Sequence, residues 1–146
     1  MPRRFRDVHL EIHSTTDALD LVQAVTEHIG RELGLDEEAL HWTGMAVRES
    51  VINAITHGNS SDPAKIVFID FAATPELDPA DLIVRVRDQG RGFDPGALDN
   101  PLTPDNVLKS CGRGIFLIRQ FMDEVLIEPA REGGMVVRML KHIRAR

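Results

Sequence analysis

The chain has one cysteine, Cys111, so no internal disulfide can form, and a reducing compartment is the expected setting. Long apolar runs are missing. None approaches the roughly 20 residues that a bilayer-spanning helix needs, and no apolar segment follows the basic start MPRRFRDVHL. No membrane association is expected, and a cytoplasmic location is. Positive charge is in deficit: Lys and Arg number 17 against 23 Asp and Glu, a net charge of −6. Nucleic acid is therefore not expected as a partner, because neutralising its phosphates takes a basic surface. Arg85, Arg87 and Arg91 lie close together, as do Arg138, Lys141, Arg144 and Arg146. They read as solvated strand faces and a frayed tail. The dinucleotide-binding GxGxxG after a strand, the P-loop GxxxxGK(S/T) and the protein-kinase HRD and DFG signatures are all absent.

What remains is an ordinary globular composition, 42% apolar and 27% charged, which excludes disorder for the chain as a whole. A length of 146 residues fits one domain, 1–146. Residues 5–13 alternate as a strand. Ser14 and Asp17 read as a helix start, after which Leu19, Val22, Val25, Ile29 and Leu33 recur at helical spacing up to Gly34. Asp36 can cap a second helix that ends at Gly58. Residues 65–72 and 82–87 read as strands, the second with arginines on one face. Residues 88–114 hold five glycines and three prolines, and a long stretch of that kind in a compact domain is usually functional. A third helix follows with apolar residues at 115, 117, 118, 121 and 122. Strands at 124–129 and 134–142 close the chain around the turn REGG. Consecutive strands imply antiparallel hairpins with helices gathered on one face. The expected class is α+β, a two-layer α/β sandwich on a mixed, mostly antiparallel sheet.

Three places carry chemistry. Glu49, Asn53 and His57 stand at i, i+4 and i+8, on nearly one stripe of the second helix. A carboxylate beside a carboxamide suits a hard cation such as Mg²⁺, with Asn53 as ligand and Glu49 as a general base. The same spacing also describes the polar face of an amphipathic helix. His57, next to Gly58, suits a helix-end cap. Asp88-Gln89-Gly90-Arg91-Gly92 stands where a strand becomes a loop. A carboxylate there can accept from an exocyclic amine such as that of adenine, and glycines let a flat base approach the backbone; a plain strand-end turn has the same composition. Gly112-Arg113-Gly114 opens the third helix, whose N-terminal amides suit phosphate, with Lys109 and Arg113 as possible cationic contacts; a flexible connector is the alternative. Cys111 reads as a bystander. Trp42 and Met45, Met122, Met135 and Met139 read as core or interface.

In chain order these elements are E-x3-N-A-x2-H-G-N from Glu49 to Asn59, D-x-G-x-G-F from Asp88 to Phe93, a lid, and G-x-G-I-x-L-I from Gly112 to Ile118. This succession resembles the GHKL ATPases, and within them the anti-sigma factor serine/threonine kinases of bacteria. The resemblance implies a Bergerat ATP-binding fold. It implies ATP and Mg²⁺, with Asn53 on the metal and Asp88 on adenine. His57, Gly90, Gly92, Phe93, Lys109, Gly112, Arg113 and Gly114 would line the nucleotide site, and a lid would cover the triphosphate at about 93–111. Glu49 would act as general base on a Ser or Thr hydroxyl of a STAS-type anti-anti-sigma protein. A sigma factor as sequestered partner and a homodimer are implied as well. The alternative within the same fold is a non-catalytic ATP-binding adaptor. Two positions depart from the family: Met135-Val136 replaces a common threonine near the adenine, and Lys109-Ser110 stands where some members carry arginine.

Overall fold

Alternation in the sequence becomes alternation of burial in a five-stranded sheet. The computed structural model describes residues 7–74, 80–90 and 113–143. The strands are β1 (Val8–His13), β2 (Ile66–Ala73), β3 (Leu82–Arg87), β4 (Glu124–Pro129) and β5 (Met135–Lys141), in the order β1-β2-β3-β5-β4. All four pairings are antiparallel, so the expected mixed character is not found among the described residues. The helices are α1 (Leu19–Leu33), α2 (Glu37–Asn53) and α3 (Arg113–Phe121). Val67, Ile69 and Phe71 of β2, Leu82, Val84 and Val86 of β3 and Met139 of β5 are buried on one face of the sheet. They join Val22 and Ile29 of α1, Val47, Val51 and Ile55 of the α2 region and Ile118 of α3 in a single core. Each such side chain contributes roughly 1.5–3 kcal/mol by leaving water. The α+β, two-layer expectation is met.

Helix ends follow local chemistry. Asp36 accepts from the Ala39 amide at 2.8 Å and caps α2. Gly34 ends α1 with φ +107°, a conformation open to glycine. Ser14 behaves differently from its expected role as a helix start. Its hydroxyl is buried and donates to the Lys65 carbonyl at 2.8 Å, while the turn at Thr16–Ala18 and α1 have no side-chain cap. The competing partner across the sheet edge won. After Asn53 the helix widens into a π-turn over Ala54–Gly58, and the chain then turns through Ser60 and Ser61 at φ 51° and 55°. Trp42 of α2 stacks on Phe121 of α3 with ring centroids 4.3 Å apart, which helps fix α3 across α2.

Candidate nucleotide site

Central strand β3 delivers Asp88 to the end of the sheet beside the exit of α2. The carboxylate is only 5% exposed. Its Oδ1 accepts from the Gly90 amide at 2.9 Å and the Met135 amide at 3.1 Å, and its own amide donates to the Met135 carbonyl at 3.0 Å. Among the described residues Oδ2 takes no hydrogen bond. Burial raises the carboxyl's pKa, opposed by the Gly90 and Met135 amides and by the charges of Lys65 and Arg87. A buried carboxylate with one oxygen committed to the backbone and one free can accept from an amine brought by a ligand.

Glycine closes the ring around this group. A β-carbon on Gly58 would lie 2.1 Å from Asp88 Oδ2, one on Gly90 2.0 Å from the Gly58 carbonyl oxygen, and one on Gly134 2.1 Å from the Asp88 carbonyl oxygen. Three chain segments therefore meet at close quarters where the sequence indicated a strand passing into a glycine-rich loop. Gly58 and Gly134 were not among the expected site residues. Their strings, H-G-N and E-G-G, read locally as a helix stop and a hairpin turn. Their contact with Asp88 spans 30 and 46 positions and leaves no local signal. Met135 meets Asp88 through its backbone amide and carbonyl alone.

The second cluster sits on α2. Glu49 and Asn53 are half-buried, and both face Gly114 at the start of α3. A β-carbon there would lie 3.1 Å from Glu49 Oε2 and 3.1 Å from Asn53 Nδ2. Among the described residues the buried Asn53 Nδ2 has no hydrogen-bond partner, a costly state for an amide donor that an acceptor oxygen of a ligand would relieve. His57 stands in the π-turn that continues α2, and it is exposed. Gly92, Phe93, Lys109, Gly112 and the expected lid at 93–111 lie outside the described residues, as does the side chain of Arg113.

The sequence profile of the histidine kinase-like ATPase domain matches residues 12–141. The chain belongs to this family.

Relatives of the ATPase domain include the anti-sigma F factor of Geobacillus thermodenitrificans, 29% identical over 141 residues, with 94% of this chain and 92% of that one covered. The anti-sigma F factor of Heyndrickxia coagulans is 32% identical over 99 residues, covering 66% of this chain and 65% of the relative. The serine-protein kinase RsbW of Staphylococcus epidermidis is 25% identical over 143 residues, covering 94% and 87%. Among solved structures, the RsbU and RsbW domains of a Mycobacterium tuberculosis protein superpose with a TM-score of 0.61 at 19% identity, over 94% of this chain and 32% of that one. At that identity the likeness is one of fold.

The family supports use of ATP, and the donor set of the domain fits a hard cation. Asn53 and Glu49 offer oxygen, and no group of three or more His, Cys, Asp or Glu side chains among the described residues could enclose a metal. Mg²⁺ tolerates such sparse protein ligation because water and nucleotide phosphates complete its octahedron.

Proposed function

We propose that this domain is an ATP-dependent protein serine/threonine kinase that acts as an anti-sigma factor. It would phosphorylate a STAS-type anti-anti-sigma protein and sequester a sigma factor as a homodimer. The observation that carries the kinase reading is the meeting of Glu49, Asn53 and Gly114. A carboxylate able to act as general base, a candidate Mg²⁺ ligand and the amide-bearing start of a helix stand together, as phosphoryl transfer to a hydroxyl would require. The names borne by relatives that cover most of this chain support the partner classes.

In this reading Asp88 Oδ2 accepts from the adenine amine and fixes the base. The amides at the start of α3 face the phosphates. Mg²⁺, held by Asn53, would neutralise charge between the phosphates. Glu49 takes the proton of the acceptor hydroxyl as its oxygen attacks the γ-phosphorus. The bond from that phosphorus to the bridging oxygen breaks, ADP leaves, and the proton stays on Glu49 until solvent removes it.

Mass spectrometry of a STAS-domain acceptor incubated with the protein and Mg-ATP tests this. One added phosphoryl group is expected with the wild type. Glu49→Gln should bind ATP normally and transfer phosphate about 10²–10⁴-fold more slowly, whereas Asn53→Ala should lose Mg-dependent affinity. An unmodified acceptor would replace the kinase with a nucleotide-binding adaptor. Light scattering at micromolar concentration checks the homodimer, and a monomer both with and without ATP rejects it.

A further inference from the structure

Asn59 is fully buried, and its polar groups bond to five different places in the chain. Nδ2 donates to Ser14 Oγ at 2.7 Å and to the Ile66 carbonyl at 3.0 Å. Oδ1 accepts from the Gln89 amide at 2.7 Å. The backbone amide donates to the Ala54 carbonyl at 2.8 Å, and the carbonyl accepts from the Asp62 amide at 3.0 Å. Gln89 returns the link, its Oε1 accepting from the Ile66 amide at 2.8 Å. One side chain thereby joins the end of β1, the exit of α2, the start of β2 and the exit of β3.

The two sides of this clamp adjoin the site. Gly58 precedes Asn59, and Asp88 precedes Gln89. The bond from the Gln89 amide to Asn59 Oδ1 therefore holds Gly58 against the Asp88 carboxylate. A second observation points the same way. Ser60 and Ser61, directly after Asn59, both have positive φ, a conformation that persists in non-glycine residues only where the surroundings over-determine it. The bonds of Asn59 to Ala54 and Asp62 bracket that turn. A buried amide with every group satisfied specifies geometry in a way that a hydrophobic contact does not.

We infer that Asn59 is a positioning residue for base recognition: through Gln89 it fixes Asp88 so that the free Oδ2 stays aimed at the 6-amino group of a purine. This rests on the proposed role of Asp88. It extends that role to a residue that touches no ligand. Small displacements matter here, because a hydrogen bond weakens steeply once its distance and angle leave the normal range.

The test is calorimetry of Mg-ATP and Mg-ITP binding to wild type, Asp88→Asn, Asn59→Asp and Ser14→Ala. ITP carries a 6-oxo acceptor where ATP carries the amine. Wild type should favour ATP by at least about 10²-fold, because a site built to bond an amine rejects its analogue. Asn59→Asp keeps the shape and the acceptor toward Gln89 but faces the Ile66 carbonyl with a second oxygen. Its preference should fall to about tenfold or less, with affinity for ITP held within about threefold. A purely structural Asn59 would weaken both nucleotides alike and leave the ratio intact. That result, with wild type still discriminating, overturns the inference alone. Equal binding of ATP and ITP by wild type overturns the Asp88 reading and the inference with it. If Asn59→Asp does not fold, Ser14→Ala decides: a severalfold drop in the ratio is expected, and an unchanged ratio refutes the clamp.

Discussion

Burial raises the Asp88 carboxyl above its ordinary pKa of 3.8, and two backbone amides only partly offset this. The sign for stability follows. A carboxyl with a raised folded pKa contributes stability below its unfolded value, and loses that contribution as pH rises through the folded value. Above the folded value the ionised side chain therefore costs the empty fold stability. Asp88→Asn should keep an acceptor for the Gly90 and Met135 amides without the buried charge. Urea unfolding at pH 7 is expected to show a midpoint at or above that of wild type. ATP affinity should nevertheless fall by roughly 10–100-fold, the worth of a hydrogen bond to a charged group. Gly58→Ala should fail in a different manner. Its β-carbon takes the place of Asp88 Oδ2, so calorimetry should find ATP binding at least tenfold weaker, with about 1–3 kcal/mol of overpacking seen in denaturant titration. That Glu49 and Asn53 share one helix and that Asp88 follows a strand was legible in the sequence, because local spacing marks both. Gly58 and Asn59 end the motif that starts at Glu49, yet their contacts with the exit of β3, like those of Gly134, arise from segments that meet only after folding.

Periodicity made the elements legible. Among the described residues, five strands and three helices lie where alternation, apolar runs or helical recurrence put them, and Asp36 and Gly34 bound helices as their chemistry dictates. One misreading has a physical cause. Ser14 suits a helix cap by type, yet a carbonyl 51 positions away captured its hydroxyl. No residue type announces the π-turn that follows Asn53, in whose last turn His57 stands. The edge pairing of β1 and β2 carries a titratable contact. His9 Nδ1 is hydrogen-bonded to Asp70 and Nε2 to Glu11 at 3.1 Å, and these partners, Asp70 first, raise the histidine pKa above 6.5. The stabilisation is complete below 6.5 and is lost as pH rises through the folded value. NMR titration should place the His9 midpoint above 6.5, and Asp70→Asn should bring it back down. With half the side chain exposed, the effect on global stability is small.

At the scale of the whole molecule, a sheet of order β1-β2-β3-β5-β4 puts β3 in the middle, flanked on both sides, with helices over one face. Asp88 follows β3 directly, and the Met135 amide that binds it opens β5. The strand that is hardest to detach thus carries the Asp88 carboxylate at its tip. The consequence concerns hydrogen exchange. Amides of Val84 and Val86 exchange only when the centre of the sheet opens, and that opening dismantles the Asp88 site. Mg-ATP at a hundredfold its Kd stabilises the closed state by about 2.7 kcal/mol. These central amides should then slow by about the same hundredfold, while those of edge strand β1, which can fray without disturbing Asp88, slow far less. Exchange mass spectrometry would read this as a gradient of ligand protection falling outward from the middle of the sheet. A uniform slowing would mean that the domain opens only as one cooperative unit.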